Sequence, residues 1–338
     1  MNVEERPGYM AKRIVLADPR GFCAGVDRAI VTVQTILKTA HTPRPDGLPP
    51  VYVRRQIVHN KHVVQELADQ GAVFVEELAE IPDAAAQAGI PVVFSAHGVS
   101  PTVQAEAKRR GLNIIDATCP LVGKVHREVQ RFVKQGYEIV YIGHKGHDEA
   151  VGVVGEAPEH VHLIEHVDDV PKLHFDESQK LALLTQTTLS IDETADTIAA
   201  LKQQFPWIEE PASSDICYAT SNRQAAVKLV AEHVDVMVIV GSANSSNSVR
   251  LMEVAASALG DTTRAHRVDD ASELDDSWFA NAEAVGISSG ASVPDSLVQG
   301  VIEHLQQLGF TDLDTVAGAG ENMHFVLPAP VRAMAASL

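Results

Sequence analysis

Cys23, Cys119 and Cys217 recur at nearly equal intervals and are the only cysteines in the 338-residue sequence. Each follows a short apolar run (IVLAD, LNIID and DI) and each precedes an amphipathic stretch. A period of roughly a hundred residues marks a repeated supersecondary unit, which restricts the possible folds more than composition does. After Cys23, the residues Val26, Ala29, Ile30, Val33 and Leu37 lie at helical spacing, and VYVRRQIVH and PVVFSAHG then read as strands around further helices. After Cys119, Pro120 sits where a helix favours proline, Val122, Val125, Val129, Phe132 and Val133 share one side, and EIVYIGH and LALLTQTT read as strands. After Cys217 comes a helix, then the strands VMVIVG and AVGISSGAS, each with a helix behind it. Ser190 with Glu193, and Ser221 with Gln224, read as capping boxes.

Strands alternating with helices predict an α/β fold with mostly parallel sheets covered on both faces, and runs such as VMVIVG are apolar throughout as that requires. The expected architecture is three similar α/β modules, 13–113, 114–212 and 213–310, arranged with pseudo-threefold symmetry around a central iron–sulfur site. A tail at 311–338 follows, in which ENMHFVLPAP reads as one more strand-like run returning to the first module.

Composition excludes several functions. The net charge of −18 argues against broad nucleic-acid or anionic-membrane binding. No apolar run reaches the roughly 18–20 residues of a membrane span, and the first residues have no apolar core of a secretory signal. An odd, low cysteine count fits a reducing cytosol better than a disulfide scaffold, so a cytoplasmic location is expected.

Ligands of open α/β sheets bind beyond the carboxyl ends of the strands, and here those ends carry the polar residues of every module. A lone cysteine is more often a small buried hydrophobe. Three at equivalent loop tips point instead to a shared metal centre. Thiolates select zinc, Cu(I) or iron–sulfur clusters. No C-x-x-C pair is present, and three remote thiols with no fourth fit a [4Fe–4S] cluster with one open iron, with a histidine-completed zinc site as the competing reading. His59, His97, Ser245, Ser246, Asn247 and Ser292 can all donate hydrogen bonds, several of them at expected helix N-termini, and together read as an anion site. There is no P-loop, so the phosphate belongs to a substrate, and no Lys or Arg is expected to be needed in these loops. His147, Glu149 and Thr187 have the composition of a proton relay. His62, His160, His162, His166, His174, His233 and His304 fall in helical patterns or solvated loops and are read as structural.

The segments GFCAGVDRAI (21–30), VHN (58–60), FSAHGVS (94–100), DATCPLVGKVH (116–126), GHKGHDE (143–149), TQTTLS (185–190), DICYATSNRQ (215–224), GSANSSNSVRL (241–251) and SSGASVPD (288–295) closely resemble the 4-hydroxy-3-methylbut-2-enyl diphosphate reductase family. The likeness runs in order from about residue 13 to 327. It implies that Cys23, Cys119 and Cys217 hold one [4Fe–4S] cluster per chain, whose fourth iron takes the substrate hydroxyl. His59, His97, Ser245, Ser246, Asn247 and Ser292 match the diphosphate ligands; His147 belongs to the family's histidine set, Glu149 matches the proton donor, and Thr187 matches the hydroxyl beside the substrate alcohol. The implied reaction is a two-electron, two-proton reductive dehydroxylation of (E)-4-hydroxy-3-methylbut-2-enyl diphosphate to isopentenyl and dimethylallyl diphosphate, the last step of the non-mevalonate isoprenoid pathway. Reduced ferredoxin or flavodoxin would supply the electrons. The alternatives are a non-redox iron–sulfur hydro-lyase and a metal-binding sensory protein. One departure stands out: the family usually has Pro before the catalytic acid, where this chain has Asp148.

Overall fold

The computed structural model describes residues 12–40, 44 and 46–336; the N-terminal leader, read above as not secretory, falls almost wholly outside them. β1 (Lys12–Asp18) leads past Cys23 into α1 (Ala24–Thr39), followed by β2 (Val51–Arg54), α2 (Lys61–Asp69), β3 (Ala72–Val75) and α3 (Asp83–Gln87). Then come β4 (Pro91–Phe94), α4 (Pro101–Arg109), β5 (Asn113–Asp116), α5 (Pro120–Lys134), β6 (Tyr137–Ile142) and α6 (Asp148–Val154). The chain continues through β7 (Val161–Ile164), β8 (Lys180–Thr185), α7 (Ile191–Gln204), α8 (Tyr218–Ala231), β9 (Val236–Val240) and α9 (Ser246–Leu259). It closes with β10 (Ala265–Val268), β11 (Ala284–Ser289), α10 (Asp295–Gln307), β12 (Phe310–Ala317) and α11 (Ala329–Ala335).

The strands form three parallel sheets, ordered β10-β9-β11-β1-β12, β3-β2-β4-β5 and β7-β6-β8. The α/β class and the parallel pairing expected from the sequence are therefore present. Periodicity identifies a strand but not its partner, and two strands sit elsewhere than the module boundaries suggest. β1 lies between β11 and β12 instead of beside β2, and β5 extends the sheet of β4 instead of opening the next. In consequence the chain changes sheet after each cysteine: Cys23 separates β1 from β2, Cys119 separates β5 from β6, and Cys217 separates β8 from β9.

Two compact units result. One joins Asn222–Glu321 to the chain up to Gly21; the other joins Phe22–Ser221 to the chain from Asn322 onward. The first unit holds the five-stranded sheet. β9 is buried along its whole length, with α10 on one side (Val298, Val301, Leu305) and α8 and α9 on the other (Val227, Val230, Leu251, Val254). Arg223, 0% exposed, pairs with Glu321 at 2.9 Å and donates to the Gly21 carbonyl at 2.7 Å, so its charge is compensated inside the fold. The second unit holds the other two sheets. α5 shows why its helices form: Pro120 stands at the first position, Arg131 and Lys134 in the last turn complement the dipole, and Val122, Val125, Val129 and Phe132 are buried on one side.

Three local readings are corrected. The segment ENMHFVLPAP contains no strand; α11 begins at its last two residues instead, with Val331 buried in the core that includes Ile30, Val33, Val51 and Val53. The last strand is β12, which the sequence hides because five consecutive residues, Thr311–Thr315, are exposed at a sheet edge. Ser221 does not cap α8, which already starts at Tyr218; its hydroxyl donates back to the Cys217 carbonyl from inside the first turns. Ser190 does cap α7, its oxygen facing the Glu193 amide.

Candidate active site

All three cysteines lie in the second unit, each immediately before a helix: Cys23 before α1, Cys119 before α5 and Cys217 before α8. Their loops are fixed from outside. Arg28 on α1 donates to the Thr118 carbonyl at 3.0 Å, and the buried Asp215 accepts from the Thr185 amide at 3.0 Å and from Lys124 at 2.9 Å. The Cys217 sulfur faces the Thr220 hydroxyl at 3.2 Å and accepts from its amide at 3.4 Å. A Cβ on Gly25 would stand 2.6 Å from the Cys119 sulfur, so only glycine lets α1 approach that thiol.

Burial, with Cys23 close by, pushes the Cys119 thiol up to about 12 and the Cys217 thiol up to about 11. Thiols held so far from ionisation are poor nucleophiles, and a metal that binds them as thiolates displaces their protons. Three sulfurs around one zinc at about 2.3 Å would sit roughly 3.8 Å apart. Among the described residues the one set of three ligand atoms lying within 4.8 Å of one another is His59, His97 and Asp148, and the cysteine sulfurs are not such a set. The donor set thus fits a larger, sulfur-bridged centre better than a single ion.

The histidines follow from the strand ends. His59 comes after β2, His97 after β4, and His147 caps α6. His59 and His97 stack with ring centroids 4.0 Å apart, and His147 meets them edge-on at 5.0 and 5.7 Å. Burial, followed by the nearness of the His59 ring, lowers His97 well below its ordinary range and His147 to about 3, so both are neutral. The His147 Nδ1 accepts the Glu149 amide at 3.2 Å, which leaves the ring proton on Nε2, free to be donated.

Sequence reasoning missed the charged partner of this cluster. Arg55, four residues before His59 in the run VYVRRQIVH, forms an ion pair with Asp148, whose other oxygen lies 3.4 Å from His59 Nε2 and 3.8 Å from His97 Nδ1. The expectation that these loops hold no cation is therefore wrong. Arg55 has φ +56, a left-handed conformation costly for a side-chain-bearing residue. Burial raises the Asp148 carboxyl, but the His59 hydrogen bond and the Arg55 guanidinium outweigh it and hold the group well below the usual carboxylate range. Two His and one Asp at this spacing could in principle ligate a metal, but the guanidinium already on Asp148 disfavours a cation there.

Glu149, one residue on, is the opposite case. It is 2% exposed; burial pushes its carboxyl up to about 7, against hydrogen bonds from Thr187 that pull it down. The Thr187 amide donates to one oxygen at 2.7 Å and the Thr187 hydroxyl to the other at 2.8 Å. Two adjacent acids on one helix turn thus have divided roles: Asp148 is ionised, and Glu149 keeps a proton near neutrality.

Ser245, Ser246, Asn247 and Ser292 belong to the first unit. Ser245 caps α9, accepting from the Ser248 amide at 3.3 Å and its hydroxyl at 3.0 Å. Asn247, 5% exposed, accepts the Ala291 amide at 2.8 Å through Oδ1, while its buried Nδ2 has no partner. The hydroxyls of Ser242 and Ser288 are likewise buried and unpartnered. A Cβ on Gly241 or Gly290 would fall 2.1 Å from the Ser248 hydroxyl, so both loops close tightly on the helix start. Buried donors without partners at the N-terminus of a fourteen-residue helix make a ready anion site. His160 and His162 flank Glu138, and His304 pairs with Asp276, the surface roles expected of them.

Comparison with known proteins places the chain in one lineage. The family model described as LytB protein matches residues 14–306. A 4-hydroxy-3-methylbut-2-enyl diphosphate reductase of Bifidobacterium longum is 75% identical over 336 residues, covering 98% of this chain and 95% of that protein. One of the same name from Mycolicibacterium paratuberculosis is 51% identical over 321 residues, 95% of this chain and 92% of its own length. Among solved structures, the E-1-hydroxy-2-methyl-but-2-enyl-4-diphosphate reductase of Plasmodium falciparum superposes with a TM-score of 0.89 at 39% identity, covering 97% of this chain and 99% of that one. With the family model spanning most of the chain and relatives covered nearly end to end, the chain belongs to the LytB protein family.

Proposed function

We propose that this chain reduces (E)-4-hydroxy-3-methylbut-2-enyl diphosphate, the substrate for which its relatives are named, and that the products are isopentenyl and dimethylallyl diphosphate. The allylic C–O bond breaks, two electrons and two protons enter, and the oxygen leaves as water. The observation that carries the reading is Glu149: a buried carboxyl that holds a proton near pH 7, hydrogen-bonded to Thr187 in the unit that carries the three cysteines. A [4Fe–4S] cluster held by Cys23, Cys119 and Cys217, one per chain, would supply electrons and a Lewis-acidic iron for the alcohol oxygen. Glu149 and Thr187 handle the proton. A hydroxyl both donates and accepts, so Thr187 can take a proton from Glu149 while passing its own to the departing oxygen. His147 Nε2–H is a further donor. His59 and His97, and in the other unit Ser245, Ser246, Asn247 and Ser292, are suited to phosphate oxygens. Binding the diphosphate fixes the chain of the substrate so that its alcohol is oriented before the bond breaks.

The electron donor is a reduced ferredoxin or flavodoxin, and the enzyme works in the cytoplasm; among the described residues no helix is long and apolar enough to cross a membrane. The test is anaerobic turnover with reduced methyl viologen and the allylic diphosphate. Viologen oxidation with release of both five-carbon diphosphates supports the reading. Product formation without electron consumption would replace it with hydro-lyase chemistry.

A further inference from the structure

His97 sits on a tight turn that also carries Ser95. The Ser95 carbonyl accepts the Gly98 amide at 3.3 Å, and Gly98 has φ +78, so the chain doubles back as soon as β4 ends. The turn is pinned at Ala96, whose amide donates to the Ile57 carbonyl at 3.2 Å and whose carbonyl accepts the Cys119 amide at 2.9 Å. This brings the hydroxyl of Ser95, a residue 4% exposed, to 3.3 Å from His97 Nδ1. Among the described residues that hydroxyl has no other hydrogen-bond partner. Asp148, 3.8 Å from the same nitrogen, stands beyond hydrogen-bond reach.

These contacts decide where the ring keeps its hydrogen. The ring is neutral, so one nitrogen bears hydrogen and the other a lone pair. If Nδ1 bore it, the buried hydroxyl could only accept, and its own hydrogen would meet no protein acceptor. If Nδ1 is the lone pair, the hydroxyl donates to it and no donor is stranded. The Asp148 carboxylate pulls the other way, but Arg55 already occupies it. The ring hydrogen therefore sits on Nε2. His147 is held alike, its Nδ1 accepting the Glu149 amide at 3.2 Å. In both rings a donor two residues away in the chain occupies Nδ1.

We propose that Ser95 is a positioning residue for diphosphate binding: its hydroxyl donates to His97 Nδ1 and so presents Nε2–H to a phosphate oxygen. The inference rests on reading His97 as a phosphate ligand. A ring fixed in this way offers a hydrogen bond to an anion while staying neutral. Without the hydroxyl, the carboxylate of Asp148 is left facing Nδ1. The hydrogen then moves to that nitrogen, and the bare lone pair of Nε2 meets the anion and repels it.

The test is anaerobic nitrogen NMR of histidine-labelled, cluster-loaded protein, with His97→Gln identifying the His97 signals, beside calorimetric titration of inorganic pyrophosphate into the same samples. In the wild type, His97 should show hydrogen on Nε2 and a lone pair on Nδ1. Ser95→Ala should move the hydrogen to Nδ1 and weaken the pyrophosphate Kd about tenfold. Ser95→Thr, which keeps the hydroxyl, should restore both. A wild-type ring with hydrogen on Nδ1 overturns the proposal, and so does a tautomer unchanged in Ser95→Ala, whatever the affinity does. The wild-type spectrum decides even if Ser95→Ala loses its cluster absorbance. A tautomer that switches while the Kd stays put, or wild-type affinity in His97→Gln, overturns instead the phosphate reading beneath it.

Discussion

Replacing Glu149 by Gln should make the second unit more stable at alkaline pH while removing turnover. The two carboxyl oxygens accept from the Thr187 amide and hydroxyl. A carboxamide keeps the first contact, and the second survives if the Thr187 hydroxyl turns to accept. What changes is titration. Burial raises the carboxyl from 4.5 to about 7. Below pH 4.5 the group is neutral whether the chain is folded or not, and its favourable contribution is fully present. As pH rises, the unfolded chain ionises first, so stability falls until the folded group ionises at about 7, and is flat beyond. At about 1.4 kcal/mol per pH unit, the whole interval amounts to about 3.5 kcal/mol. Gln does not titrate. Between about pH 5 and about pH 8.5 the variant should therefore gain about 2.5 kcal/mol on the wild type. The assay is anaerobic urea unfolding at both pH values, followed by hydrogen exchange of the β8 amides, beside a turnover assay in which the variant should lose about a hundredfold or more. A stability difference that does not change with pH would refute the buried neutral acid, whatever happened to turnover.

Other consequences can be checked directly. Cys119→Ser should lose its iron and the broad absorbance near roughly 400 nm that three thiolates sustain, measured by metal analysis after anaerobic reconstitution. Gly25→Ala should lower iron retention without replacing a ligand, because its new methyl would stand 2.6 Å from the Cys119 sulfur and displace it. Arg223→Met should destabilise the first unit by about 3 kcal/mol, since it leaves Glu321 with the Asn222 amide in place of a guanidinium and the Gly21 carbonyl without its donor; an unfolding midpoint in guanidinium reads the change, and Arg223→Met with Glu321→Gln should recover part of it. Gly290→Ala should weaken pyrophosphate binding more than it lowers the melting temperature, because the new methyl meets the Ser248 hydroxyl where α9 begins.

The sequence carried what depends on local pattern. The strand–cysteine–helix order, Pro120 at the first position of α5, the Ser190 cap and the apolar run of β9 were legible because periodicity and capping act within a few residues. Partner choice was not. β1 and β5 are short apolar strands that fit the edge or middle of any parallel sheet, and only tertiary packing decides which. β12 stayed hidden because an exposed edge strand need not alternate. At the site, Glu149 and Thr187 were readable as a pair on adjacent loops. That Asp148 and Glu149 would have opposite protonation was not, because it depends on Arg55 in one place and on burial in the other. The doubled arginine before His59 was a signal available in the sequence; its left-handed backbone was not.

Each cysteine stands where the chain passes from one sheet to the next. If one inorganic centre gathers all three thiolates, it closes two circuits of about a hundred residues each, as a pair of covalent cross-links would, and removes from the unfolded chain the freedom that such long loops otherwise keep. Loss of iron is then a change of connectivity as well as of chemistry. Oxygen would cost the protein its reactivity and, at the same moment, the cross-linking of its three cysteine loops, so that aged preparations should loosen from those loops outward.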